Sequence, residues 1–301
     1  MFLKDSNYSF WFVLRLFRKE MLIMSAVTVA LSILDNFITA YANFSMSVPA
    51  LLGTALSLIL AFRTSQAYDR WWEARKIWGE IINDSRSLVR AAQGYVRNHE
   101  EGEGKEFVER LARRQIAWCY ALGSTLRKQD AFILSSDFLS KEERADVKKF
   151  KNIPNAILLD HSLHIKDGAH RGLYNEFGHL RLDEIVMRLT DSMGKCERIK
   201  NTVFPTPYTR IVHFIIYVFA VSLIFGIQDD IGIVEIPVTI IISMVFFALE
   251  RIAIILQDPF ENNPSDIPVT AIARNIEIDL KQMIGDSHVP QPINPVRNYL
   301  M

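Results

Sequence analysis

The run Ser47-Val-Pro-Ala-Leu-Leu-Gly-Thr-Ala-Leu-Ser-Leu-Ile-Leu-Ala-Phe-Arg63 passes directly into Thr64-Ser-Gln-Ala-Tyr68-Asp-Arg-Trp-Trp-Glu-Ala-Arg75. The first half is long and apolar enough to cross a bilayer, and the second is dense with charge and tryptophan. No polar linker separates them, so one helix is predicted to leave the membrane and continue into water. Within it, Thr54, Leu58 and Phe62 fall at i, i+4 and i+8, on one helical face. An uncharged stripe on a membrane helix, ending at an arginine, is the pattern expected of one segment of a ring around an ion pore.

The chain has 301 residues and a formal net charge of zero. Half of its residues are apolar, but they are strongly segregated: charge concentrates in the middle and apolar residues in four blocks. Zero net charge offers no argument for a nucleic-acid partner. Cys119 and Cys196 lie far apart in the charged region, without metal-type spacing, and read as reduced structural thiols. The start of the chain does not read as a cleavable signal. Tyr8 to Phe17 is aromatic and apolar, with Arg15, Arg18 and Lys19 in or after it, as in a helix lying at a membrane surface.

The four blocks are Met21 to Leu34 (extended by Phe37, Ile38 and Tyr41), Ser45 to Phe62, Ile211 to Ile227, and Ile236 to Leu249 with Ile252 to Leu256 beyond it. Loop charges orient them. The N-terminal segment holds Lys4, Arg15, Arg18 and Lys19, and the region after Phe62 is rich in Lys and Arg. The short loops Asp35 to Asn43 and Gln228 to Glu235 hold neither, and carry Asp35, Asp229, Asp230 and Glu235 instead. The positive-inside rule then predicts four spans, two short outer loops and both termini in the cytoplasm. The expected organisation is an interfacial helix over 1–20, two spans over 21–66, a cytosolic helical region over 67–205, two spans over 206–257, and a cytosolic C-terminal segment over 258–301.

The cytosolic region is predicted to be helical. Trp71, Ala74, Ile77, Trp78, Ile81 and Ile82 recur at helical spacing between Tyr68 and Val96. Glu100-Glu-Gly-Glu-Gly104 breaks that helix, and a second is expected from about Lys105 to Lys128. Two short helices are expected between Asp130 and Lys151, and one or two more from His161 to Cys196. The segment after Gly285 is expected to be extended.

No nucleotide-binding loop and no nucleophile–base arrangement stands out, so nothing catalytic is visible. His161 and His164 could share a helix face, but a metal would need further ligands, and Asp160 and Asp167 are weak support. Around Tyr68 to Arg75 the structural reading is preferred: Trp71 and Trp72 fill a helix bundle, while Asp69, Arg70, Glu73 and Arg75 form ion pairs. Arg63 is the exception, expected at the inner end of the pore stripe. Gly194-Lys-Cys-Glu-Arg-Ile-Lys-Asn-Thr202 precedes the third block, with Glu197 and Arg198 poised for buried ion pairs. Asp258-Pro-Phe260, followed by Asp266, comes after the fourth.

These three clusters, in this order relative to four apolar blocks, resemble the bestrophins, and specifically their bacterial members. The resembling residues are Arg63 with Tyr68-Asp-Arg-Trp-Trp-Glu-Ala-Arg75, Gly194 to Thr202, and Asp258-Pro-Phe260 with Asp266. The resemblance implies an all-α protein: four transmembrane helices plus a large helical cytosolic region, assembled as a homopentamer around a central pore. It implies a multi-pass location in a bacterial cell (inner) membrane. It also implies a neck of three stacked rings at Thr54, Leu58 and Phe62, where Thr54 departs from a more usual isoleucine. A second, cytosolic constriction by an aliphatic residue is placed at Ile185. Animal members bind calcium after the last span; the corresponding residues are Asp258, Glu261 and Asp266, a thin oxygen set whose alternative is a helix-terminating turn. No other cofactor is implied.

The expected function is a channel for monovalent ions, with chloride implied by the resemblance. A cation (sodium) channel is the alternative, favoured by the acidic outer loops. A secondary transporter would more often show internal repeats and broken helices, which are not evident. A membrane-anchored signalling scaffold without conduction is the remaining alternative.

Overall fold

A computed structural model describes residues 18–38, 45–202, 205–231 and 234–295. Among the described residues the structure is helical, with no strand. The helices are α1 (Arg18–Ile38), α2 (Ser47–Tyr95), α3 (Gly102–Leu126), α4 (Lys141–Val147), α5 (Ile153–His170), α6 (Glu176–Asn201), α7 (Thr206–Ile231), α8 (Glu235–Leu256) and α9 (Val269–Met283). A 3₁₀ turn, Ser136–Phe138, lies before α4. The predicted interfacial helix over 1–20 falls outside the described residues up to residue 17, and so does most of the first predicted outer loop.

The chain divides into two compact units. One, the membrane unit, holds the described residues up to Trp71 together with those from 205 to Asp258. The other, the charged unit, holds Trp72–Thr202 and the chain from Pro259 onward. Helix α2 contributes to both, and is continuous over 49 residues. At 1.5 Å per residue it extends about 73 Å, more than twice the hydrocarbon thickness of a bilayer.

In the membrane unit, α1 packs against α7 and α8, which also pack against each other. Among the described residues, three stretches are long and apolar enough to cross a membrane: one within α2, Pro207–Gly226 in α7, and Ile236–Leu256 in α8. Helix α1 has 21 residues, enough in length, with a shorter apolar run at Met21–Ala30. Leu56 and Leu60 of α2 are buried with Val212, Ile216, Phe219, Ala220 and Leu223 of α7 and Phe247 of α8. Gly53 permits this approach: a Cβ there would stand 3.0 Å from Cε2 of Phe219. Phe219 in turn meets Phe246 edge-on, with ring centroids 5.0 Å apart.

In the charged unit, α3 is the central helix, packed against α5, α6 and α9. Its stretch from Arg114 to Ser124 is buried throughout, including Trp118 and Cys119. Local sequence explains the ends of its neighbours. Helix α4 opens on a capping box formed by Ser140 and Glu143. Asn152 and Asn175 cap α5 and α6 through their side-chain oxygens, with Pro154 in the first turn of α5. Gly172 then takes the left-handed conformation (φ +70°) that releases the chain from α5. Helix α9 is an element beyond those expected from the sequence. It follows Pro268 and buries Val269, Ile272, Ala273, Ile276 and Leu280, spaced at three and four residues.

Both cysteines are free and buried. Burial pushes the thiols of Cys119 and Cys196 up to about 12, so they are unreactive in the folded chain.

Candidate functional site

Helix α2 has two opposed faces in the membrane unit. Leu56, Leu60 and Arg63 are sealed, whereas Thr54, Leu58 and Phe62 are exposed. For large apolar side chains the exposure is high: 59% for Leu58 and 62% for Phe62. Leu51, one turn before Thr54, is exposed as well. The three residues of the predicted neck therefore share one uncovered face, as a ring lining or a subunit contact requires.

Thr54 carries a further detail. Its Oγ1 donates to the carbonyl of Ala50 at 2.8 Å, and Ser57 does the same to Gly53 at 2.8 Å. The hydroxyl hydrogens are spent on the helix's own backbone, a common arrangement for Ser and Thr within helices. What remains available on Thr54 is oxygen lone pairs.

Arg63 does not continue the stripe. It is 1% exposed and turns into the membrane unit. Its Nη1 donates to Oε1 of Glu250 on α8 at 2.9 Å, and its Nη2 donates to Oγ1 of Thr209 on α7 at 2.9 Å. The guanidinium also lies 5.6 Å from the ring centroid of Tyr208. The second oxygen of Glu250 is 2.6 Å from Nε2 of His213 on α7. Arg63 turns inward because of desolvation: a guanidinium this deep is stable only where a carboxylate and further acceptors meet it. Two turns later, Arg70 Nε donates to the Gln257 carbonyl at 3.0 Å, closing the C-terminal end of α8.

In the charged unit the predicted polar clusters take structural roles. Arg198 pairs with Glu73 at 3.0 Å on the surface, not in a buried site, while Glu197 accepts from Asn152 Nδ2 at 2.8 Å. Lys195 and Arg188 pair with Glu80 and Asp84, so α6 is laced to α2 by charge. Trp72 is half exposed; the tryptophans that fill the interior are Trp78 and Trp118.

Ile185 is 1% exposed and stands with Leu182 and Leu189 on the buried face of α6. A constriction residue must reach a lumen, and Ile185 is enclosed by its own chain. The exposed apolar residues of α6 are Phe177, Leu180 and Met187.

Two of the three residues named for calcium, Glu261 and Asp266, have partners in the charged unit. Lys200 Nζ donates to Glu261 at 2.5 Å. Asp266 accepts from the Asn263 N–H at 2.9 Å and returns its own N–H to the Asn263 carbonyl at 3.0 Å. These two bonds close a turn beyond the C-terminal end of α8. Among the described residues no group of three or more His, Cys, Asp or Glu is placed to hold a metal.

His161 and His164 face a guanidinium rather than a ligand set. Arg114 Nη1 lies 3.0 Å from His164 Nδ1 and also donates to the Asp160 carbonyl at 3.2 Å, while its other nitrogens bind Glu143. Burial, then the Arg114 charge, pushes His164 down to about 3 and His161 well below the usual imidazole range. Burial works to raise Glu143, but the Ser140 N–H and Arg114 outweigh it and hold the carboxyl below its ordinary value. The cluster is a neutral-histidine, paired-charge core.

Comparison with known proteins agrees with this architecture. The family model described as Bacterial/Fungal Bestrophin protein matches residues 12–282. The voltage-dependent anion channel-forming protein YneE of Escherichia coli K12 is 32% identical over 257 residues, covering 85% of this chain and 83% of that protein. The voltage-dependent anion channel-forming protein RSc3414 of Ralstonia nicotianae is 29% identical over 272 residues, covering 88% and 86%. The crystal structure of a bacterial bestrophin homologue from Klebsiella pneumoniae superposes with a TM-score of 0.80 at 27% identity, covering 93% of this chain and 100% of that one. A helical membrane unit with an uncovered stripe on α2, a match across nearly the whole sequence, and the shared fold give one conclusion: this chain belongs to the bestrophin family.

Proposed function

We propose that this protein is a homopentameric channel that conducts monovalent anions across a bacterial cell membrane, with Thr54, Leu58 and Phe62 lining its neck. The observation that carries the reading is the exposed face of α2, where Leu58 and Phe62 stand uncovered opposite a face sealed by α7 and α8. Repeated by cyclic symmetry, one such stripe per subunit lines a closed ring. An apolar ring of this kind gates by wetting and dewetting, so small changes in its width alter conduction sharply. The names of the relatives favour anions. Loop charges favour a multi-pass arrangement with both termini in the cytoplasm.

One observation favours cations as a second reading. With its hydrogen committed to Ala50, Thr54 offers a passing ion an acceptor only. Five such oxygens below acidic outer loops would stabilise a cation better than an anion.

Purified protein in liposomes under a NaCl gradient distinguishes the two readings by the sign of the reversal potential, with the chloride sign expected. Leu58→Ala and Phe62→Ala are expected to raise flux. Flux and ion preference that stay unmoved in both variants would remove the neck assignment. Thr54→Val keeps the shape and deletes the oxygen, so a shift toward anions in that variant supports the acceptor role of Thr54.

A further inference from the structure

We propose that Leu51 supplies a further ring to the neck, an outer apolar constriction one helical turn before Thr54 that limits conduction together with Leu58 and Phe62. The inference rests on the neck reading above and extends it to a residue outside the three expected rings. In an α-helix each residue turns by about 100°, so Leu58 and Phe62 stand about 40° and 80° round the axis from Thr54. Leu51 falls at about 60°, between Leu58 and Phe62. A lumen that meets all three neck residues therefore meets Leu51 as well. Its exposure agrees: at 73% it is the most exposed large apolar side chain of α2.

The same arc, about 80° wide, takes in Ser47, Leu51, Thr54, Leu58, Phe62 and Ser65. All of them are exposed, whereas Leu56, Leu60 and Arg63 on the far side of the helix are buried. Along the axis their order alternates hydroxyl and hydrocarbon. Ser47 comes before Leu51, Thr54 separates Leu51 from Leu58, and Ser65 follows Phe62.

That order makes two barriers rather than one. Leu51 and Leu58 are separated by about 10 Å along the helix axis, with Thr54 between them. Thr54 Oγ1 gives its hydrogen to the Ala50 carbonyl and keeps its lone pairs for water. A ring of such oxygens holds water, so it does not prolong the apolar stretch of Leu58 and Phe62. Leu51 is therefore a separate apolar ring on the outer side of a wetted one. An ion sheds part of its hydration at Leu51, recovers it at Thr54, and sheds it again at Leu58 and Phe62. Widening either barrier alone gives part of the gain in current, and widening both gives more.

The test is thiol accessibility in the full-length channel in planar bilayers, with a charged methanethiosulfonate applied to both sides. Cys119 and Cys196 are free but buried, with thiols pushed up to about 12, so the wild-type current gives a silent background. Leu51→Cys places a thiol in the lumen, where water lets the reactive thiolate form, and its current is expected to fall by about half or more on modification. A Leu51→Cys current that the reagent leaves unchanged, as a thiol facing lipid or buried between subunits would give, overturns the ring. Leu51→Ala gives a second reading that needs no reagent. Its single-channel conductance is expected to rise by about twofold, and Leu51→Ala with Leu58→Ala to exceed either single variant. A Leu51→Ala conductance equal to wild type overturns the outer barrier. Flux unmoved in both Leu58→Ala and Phe62→Ala removes the neck reading and this ring with it. Flux raised in those two variants, with both Leu51 results negative, removes the added ring alone, so the two failures are distinct.

Discussion

Arg63 and Glu250 stand 187 positions apart in sequence, yet their side chains meet at 2.9 Å, each only 1% exposed. Two charges taken out of water attract strongly, but each has also lost its hydration, so the pair matters chiefly through what happens when one member is missing. Arg63→Ala is expected to cost about 3–5 kcal/mol, because it leaves the buried Glu250 carboxylate without its guanidinium. Replacing both members by methionine should cost clearly less than either single change. Thermal unfolding in detergent, followed by tryptophan fluorescence, measures the three variants on one scale.

Gly53 lies against the Phe219 ring, where an added Cβ would stand 3.0 Å from Cε2. Gly53→Ala gains helix propensity, worth about 1 kcal/mol, but must displace a ring wedged between α2 and Phe246. The overpacking cost of about 1–3 kcal/mol is expected to win. Pairing it with Phe219→Leu should recover most of the loss, and a double-mutant cycle of melting midpoints checks the coupling.

Ile185 and Leu180 share α6 but not an environment. Ile185→Ala opens a cavity in the charged unit and is expected to cost about 2–5 kcal/mol, with little change in the conductance of each folded channel. Leu180, 66% exposed, should behave the other way. Leu180→Ala is expected to leave melting within about 0.5 kcal/mol of wild type and to change flux or its rectification. The comparison needs only melting curves and single-channel records of the two variants.

Acid should loosen the charged unit through the histidines beside Arg114. His164, held down at about 3, is neutral in the folded state but binds a proton in the unfolded chain below its ordinary value near 6.5. Its contribution is therefore intact above pH 6.5 and declines as the pH falls from there toward 3, by up to roughly 1.4 kcal/mol per pH unit. His161 acts in the same direction. Glu143, also depressed, adds its loss at lower pH still, below the ordinary carboxylate range. Melting midpoints should fall steadily between pH 7 and 4.5, and His164→Phe, which keeps the contact with Phe107, should flatten that slope.

Much of the architecture was legible because it follows from local rules. The length and apolarity of Ser47 to Phe62, followed by Trp and charge at helical spacing as far as Val96, predicted one continuous helix, and α2 runs to Tyr95. Four-residue spacing predicted that Thr54, Leu58 and Phe62 share a face, and that face is uncovered. The acids Asp258, Glu261 and Asp266 allowed either an ion site or a turn; in the fold Asp266 bonds Asn263 and Glu261 bonds Lys200, contacts that spacing alone does not specify. Helix α9 is legible in Val269, Ile272, Ala273, Ile276 and Leu280, which spell its buried face, although Pro264 and Pro268 before it interrupt the helical pattern.

Sequence by itself determined the helices, the membrane blocks and the face shared by the neck residues, since each depends on the period of one helix and the hydrophobicity of its own residues. Tertiary structure alone decided which way the charges and core residues of those helices point. Nothing near Arg63 in the chain announces Glu250, Thr209 or His213, and nothing near Ile185 distinguishes a residue that lines a passage from one that fills a core. A buried charge goes where its partner is, and an apolar side chain goes where other helices exclude water. Both are set by contacts between segments far apart in sequence.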